Sequence, residues 1–189
     1  MTDSDWRSRR WDATHQRIYD AAMALFHEHG YERVNVGQIA SGAGVSVPTF
    51  YAHYPSKEHI LMQLPTAEQM AGLLATQADE LPLRDRLERI APVWLAQWSP
   101  EEMEEILVRW RIIASTPSLR NRAAEFERTT AGMIADALPG DAATRQADAI
   151  LINAYLAAFT SALLNWAEGN GERKLGELMD EAFEAMRHH

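Results

Sequence analysis

A tight glycine turn between two short helical segments constrains this chain more than any other feature. The stretch 35–57, NVGQIASGAGVSVPTFYAHYPSK, opens on Asn35, whose side-chain oxygen is placed to accept from the Gln38 N–H while Gln38 reaches back, a capping-box spacing. Ile39 and Ala40 then face inward. Gly44, inside Ala43-Gly44-Val45, takes the turn position where a positive φ is needed and a side chain is costly. Ser46 caps the second helix, and Pro48 fits in its first turn because no intrahelical N–H is lost there. Pro55 ends that helix by pushing Tyr54 out of the α region. Two helices joined in this way form a helix-turn-helix.

At 189 residues, 47% of them hydrophobic, the chain has room for one sizeable domain or two small ones and can bury a real core. It has no cysteine, which excludes disulfides and thiolate zinc sites. No N-terminal apolar segment precedes a small-residue cleavage site, so a cytoplasmic location is expected. No apolar run is read as approaching the roughly 20 residues that span a bilayer. The net charge of −9 runs against polyanion binding, because affinity for phosphates comes from cations. Its distribution softens the objection: residues 1–60 carry a net −1 and residues 61–189 a net −8. The first part is still less basic than a dedicated DNA-binding module.

The rest of the chain is helical in pattern. Residues 1–11 are polar, with Arg7, Arg9 and Arg10 between Trp6 and Trp11, and read as a mobile stretch, either an arm that contacts DNA or a solvated tail. From 12 to 29, Ile18, Ala22, Leu25 and Phe26 share one helix face, and Gly30 stops the helix. His27 and His29 lie two apart, on nearly opposite sides of that helix, so they do not share an ion, and no metal site is expected. Ser56 starts a helix that Pro65 kinks or ends, and further helices follow over about 66–81, 83–97 with a bend at Pro92, 99–115, 116–138 and 141–167. After the break Gly169-Asn170-Gly171, Leu175, Leu178, Met179, Ala182, Phe183 and Met186 repeat on one face of a last helix. The expectation is an all-α protein of about nine helices. A three-helix DNA-binding head would occupy residues 1–55 and a helical body residues 56–189, joined through the helix that starts at Ser56. His188 and His189 are set aside, since a truncated purification tag ends the same way.

Residues 21–61, AAMALFHEHGYERVNVGQIASGAGVSVPTFYAHYPSKEHIL, resemble the DNA-binding domain of the tetracycline-repressor (TetR) family of transcriptional regulators, with LF, GY, IA, AGVS, TFY and SKE in that family's order. Beyond Leu61 the resemblance is architectural. It implies a homodimer that binds a palindromic operator and releases it when a small molecule occupies the second domain. It also implies DNA contacts at Thr49, Tyr51, His53 and Lys57.

In a helix-turn-helix the start of the second helix meets base edges while flanking groups hold phosphates, which places Ser46, Val47, Pro48, Thr49 and Ala52 at the groove. Lys57 adds a separate hint. A cation in the first turn of a helix opposes the macrodipole at about 0.3–1 kcal/mol, so an external anion is expected beside it. Val47 and Pro48 stand where the family often has polar or basic side chains, and Gly37 where Arg or Lys is common. Base reading would then rest on Ser46 and Thr49 hydroxyls and on apolar contact with thymine methyls.

In the body, Trp94, Trp98, Met103 and Trp110, with Met70, Leu74, Phe126 and Met133, are either core or the lining of a pocket for an apolar or aromatic effector. Arg109 and Arg111 pair with Glu105 or another local acid, are solvated on the outer face, or pair with an effector carboxylate. The last two helices are read as a four-helix dimer interface through Ala154, Ala158, Ser161, Ala162, Leu175, Leu178, Met179 and Phe183, or as a fold-back onto the same chain. No cofactor is implied. An enzyme is the rival class, but no G-x-S-x-G, P-loop, H-E-x-x-H or dinucleotide-binding glycine pattern is present. A helical ligand-binding adaptor without DNA function is the other alternative.

Overall fold

The computed structural model describes residues 3–62, 67–78, 81–139 and 141–188. The described residues form ten α-helices and one 3-10 turn, without strands. They divide into two compact units, Met1–Gln63 and Leu64–His189.

The first unit is built on α1 (Asp3–His29), the 3-10 turn Tyr31–Arg33, α2 (Val36–Gly42), α3 (Val47–His53) and the four-residue α4 (Glu58–Leu61). Residues 3–11, expected to be mobile, are instead the first turns of α1. The physical reason is that no proline or glycine interrupts 3–29, and Trp11, which is exposed, and His15, which is half-buried, share the helix face of the buried Ile18, Ala22 and Phe26. Gly30, at φ 79°, ends the helix with its N–H on the Phe26 carbonyl. Phe50, Ile18, Ile39 and Ile60 form the fully buried centre of the unit.

The turn between α2 and α3 is as the residues dictate. Asn35 Oδ1 accepts from the Gln38 N–H at 3.0 Å, and Gln38 Oε1 accepts from the Asn35 N–H at 2.8 Å. Gly44 sits at φ 64°, with its N–H on Ser41 and the Val45 N–H on Ala40, the two bonds of a Schellman motif. A Cβ on Gly44 would meet nothing within 4 Å, so backbone conformation alone demands glycine there. The Ser46 hydroxyl accepts from the Thr49 N–H at 3.2 Å and caps α3.

The helix expected from Ser56 is shorter than its pattern implies. Ser56 bonds to the Glu58 carboxylate and to His59 Nδ1 before α4 begins, and Met62, at φ −105° and ψ 89°, leaves the helical region. Pro65, expected to kink or end this helix, lies outside the described residues.

The second unit contains α5 (Ala67–Ala75), α6 (Leu83–Leu95, with Pro92 inside it), α7 (Pro100–Ser115), α8 (Pro117–Ala137), α9 (Ala142–Glu168) and α10 (Leu175–His188). Ser99 and Glu102 form a full capping box at the start of α7, and Asp141 caps α9 through the Thr144 N–H. The helix α9 is central, packed by α7, α8 and α10. Ile152, Tyr155, Ala162, Leu163 and Trp166 of α9 meet Ile106 and Leu107 of α7, Ile134 of α8 and Met179 and Phe183 of α10 in one apolar core. Gly171 is required twice over: its φ is 76°, and a Cβ would lie 2.6 Å from Leu107 Cδ2.

One sequence expectation is corrected here. By length and composition α9 could cross a membrane, whereas the sequence reading finds no apolar run of that kind. Its apolar circumference has an internal use, because one side of the helix is the core of its unit.

Candidate nucleic-acid interface

Phe50 and Tyr54 anchor α3 from beneath, buried at 0% and 2% exposure. Helical geometry then turns Val47, Pro48, Tyr51 and Ala52 outward, and all four are exposed. Tyr51 is half open to solvent (52%), its ring edge-on to Phe50 with centroids 5.4 Å apart. A large aromatic side chain held in the open by a rigid base is suited to contact with a partner.

Ser46 and Thr49 do not act as independent readers. Their hydroxyls lie 2.8 Å apart and one donates to the other, which leaves one hydroxyl proton and the remaining lone pairs for a base edge or phosphate.

His53 and Lys57 have surroundings that local sequence does not reveal. The His53 ring lies on Trp11 of α1, with centroids 3.8 Å apart and planes 28° apart. His15 stacks on Tyr54 at 4.2 Å and lies 5.7 Å from His53. The Tyr54 hydroxyl donates to the His15 carbonyl at 3.4 Å. Both imidazole Nδ1 atoms are buried without a hydrogen-bond partner among the described residues. Burial lowers both histidine pKa values; Asp12 opposes the shift at His15, and His15 reinforces it at His53. Sequence reasoning misses Trp11 and His15 as site residues, although the spacing 11, 15, 18, 22, 26 carries the signal.

The rationale for an anion beside Lys57 is corrected. Its Nζ donates to the Tyr31 carbonyl at 2.9 Å and the Val34 carbonyl at 2.9 Å, and stands 3.9 Å from the Tyr31 ring centroid. The ammonium therefore fastens the 3-10 turn to the start of α4. Burial lowers its pKa, against the pull of Glu58 and Glu32.

In the second unit, Leu74, Trp94, Trp98, Met103 and Trp110 belong to one contiguous apolar cluster. Trp94 is edge-on to both Trp98, at 5.8 Å, and Phe159, at 5.2 Å. The Trp98 Nε1 is buried without a hydrogen-bond partner among the described residues. Phe126 and Met133 are half-buried on α8, and the Met70 side chain lies outside the described residues. Arg111 donates to the Asn170 carbonyl at 3.1 Å, a partner that is neither an acid nor solvent.

The interface residues divide. Ala158, Ala162, Leu175, Leu178, Met179 and Phe183 are buried within their own chain, so their side chains are spent on the intramolecular core. Ala154 and Ser161 are exposed, as are Ile150 (67%) and Ala157. The spacing 150, 154, 157, 161 puts these four on the opposite face of α9.

Comparison with known proteins agrees with this geometry. The model of bacterial regulatory proteins of the tetR family matches residues 18–64, leaving the first turns of α1 ahead of the match. The MftR C-terminal domain model matches residues 81–189. A mycofactocin biosynthesis transcriptional regulator, MftR of Mycobacterium tuberculosis, is 33% identical over 59% of this chain and 57% of its own. The HTH-type transcriptional repressor KstR of Rhodococcus jostii is 33% identical over 48% of this chain and 42% of its own. The matched region thus spans about half the length of these curated relatives. Both bear the names of transcriptional regulators. Among solved structures, NalD of Pseudomonas aeruginosa, the secondary repressor of the MexAB-OprM multidrug efflux pump, superposes with a TM-score of 0.54 at 21% identity, over 95% of this chain and 96% of that one. Two matched segments that together cover most of the sequence, around a capped helix-turn-helix, show that the chain belongs to the tetR family of bacterial regulatory proteins.

Proposed function

We propose that this protein is a homodimeric, effector-responsive transcriptional repressor that binds a palindromic operator through α3 and acts in the cytoplasm. The observation that carries this reading is α3 itself, fixed from beneath by Phe50 and Tyr54 and presenting Val47, Pro48, Tyr51 and Ala52 on one open face. Ser46, Thr49 and Tyr51 supply polar contacts, and Val47 and Ala52 meet thymine methyls.

The effector is apolar or aromatic and is taken up by the Trp94, Trp98, Met103 and Trp110 cluster of the second unit. The orphaned Trp98 indole N–H favours a ligand that carries one hydrogen-bond acceptor. The effector releases the operator only to the extent that it binds a conformation of lower DNA affinity more tightly. Dimerisation uses the outward face of α9 at Ile150, Ala154, Ala157 and Ser161, so that two heads share one operator and reinforce each other.

The test is a binding titration of the protein with duplex DNA taken from immediately upstream of its own gene, against a scrambled duplex. Preference for the upstream duplex supports the reading. Equal, negligible binding to both returns the protein to a helical ligand-binding adaptor.

A further inference from the structure

The recognition segment is short of cations. Residues 46–57 contain no arginine, and the ammonium of Lys57, their one lysine, is committed to the Tyr31 and Val34 carbonyls. Affinity for duplex DNA nevertheless comes mainly from cationic neutralisation of phosphates. The structure shows where in the first unit that charge is held. The first turns of α1 are pinned to the end of α3 by the Trp11–His53 stack and the His15–Tyr54 stack. They are thus carried as part of the same rigid body as the recognition helix.

Within α1 two arginines line up. At about 100° per residue, Arg10 and Arg17 share one flank of α1, roughly a third of a turn from the docked side of Trp11 and His15 and about 10 Å apart along the axis. Both are exposed. The Arg10 guanidinium lies over the Trp6 ring at 5.4 Å, and Arg17 Nη2 reaches Thr14 Oγ1 at 3.5 Å, so each is steadied on that flank with no ion pair to an acid among the described residues. Asp12 projects from the other flank; Asp20, three residues after Arg17, is engaged by Gln16, from which it accepts at 2.8 Å.

We infer that the Arg10–Arg17 flank of α1 is a second DNA contact, a phosphate-binding stripe that adds the cationic grip the recognition helix lacks. It rests on the reading of the first unit as a DNA-binding head. Its contacts are to phosphates and are independent of base sequence, so it raises affinity for operator and scrambled duplex alike. The guanidinium planes suit phosphate oxygens.

The test is fluorescence anisotropy of the full chain on the upstream duplex and the scrambled duplex, from about 50 to 200 mM salt. Wild type is compared with the Arg10→Gln/Arg17→Gln and Arg10→Lys/Arg17→Lys double variants. The glutamine pair is expected to weaken binding to both duplexes and to flatten the plot of log affinity against log salt by about 0.9 for each phosphate that is no longer neutralised. The lysine pair keeps the charge and is expected to restore the wild-type slope, which a merely structural role for the arginines would not produce. A glutamine pair whose slope equals that of a DNA-binding wild type overturns the stripe and leaves the function intact. A wild type that binds neither duplex overturns both.

Discussion

The Tyr155 hydroxyl of α9 donates a 2.6 Å hydrogen bond to Glu88 of α6. The second oxygen of Glu88 accepts from Arg187 of α10 at 2.7 Å. One half-buried carboxylate therefore joins the Trp94-bearing helix α6 to the two last helices of the chain. Burial and the bond to Glu88 push the Tyr155 pKa up. Its folded pKa stands above the unfolded one, so this tyrosine contributes stability that is complete below about pH 10 and is lost as pH rises through the folded value. Tyr155→Phe is expected to cost about 1.5–3 kcal/mol, the range for a hydrogen bond to a charged group. It should also flatten the alkaline fall in stability. Thermal melts at neutral and alkaline pH check both effects.

Lys57→Ala should lower the melting temperature of the first unit, by an amount equivalent to about 1–2 kcal/mol, because two backbone carbonyls lose a charged donor. Removing a lysine used on phosphate would behave differently, flattening the salt dependence of DNA binding while leaving the melt unchanged. Melting and salt titration of the same variant separate the two.

His15 and His53 both have pKa values lowered by burial, so protonating either one costs the folded head. Their contribution is present above the unfolded value of about 6.5 and is lost as pH falls through the folded values. Melts between about pH 7.5 and 5.5 should show the first unit weakening, and His15→Gln should reduce that slope. The Trp11 stack on His53 gives the transition a fluorescence signal.

The exposed face of α9 and its buried face predict different failures. Ile150→Asp, at a position 67% exposed, should leave the fold standing and, in sedimentation, dissociate the proposed dimer. Phe183→Ala, at 5% exposure, should cost about 3–5 kcal/mol of stability through the cavity it leaves.

These contrasts mark what can be read from the sequence. The helix-turn-helix is legible because its determinants are local: Asn35 with Gln38, Gly44 with Ser41, and Ser46 with Thr49 are pairs three residues apart. The role of Lys57 is hidden because its partners, Tyr31 and Val34, lie 26 and 23 residues earlier in the chain. The start of α1 reads as a tail because its arginines dominate its composition, although Trp11 and His15 extend the helix face that carries Ile18, Ala22 and Phe26 and stack on His53 and Tyr54. On α9, apolar residues occur all round the helix, so only packing decides that Ala158 and Ala162 face inward while Ala154 and Ser161 face out.

The most direct measurement of the central claim is the affinity of the full chain for the upstream duplex, with wild type compared to Tyr51→Ala. Tyr51 is exposed and its removal leaves Phe50 and Tyr54 in place, so the melt should be unchanged. The account predicts salt-sensitive, sequence-preferring binding by wild type and a loss of about tenfold or more in the variant, the order expected for one good contact. Equal affinities of wild type and variant for upstream and scrambled duplexes would contradict it.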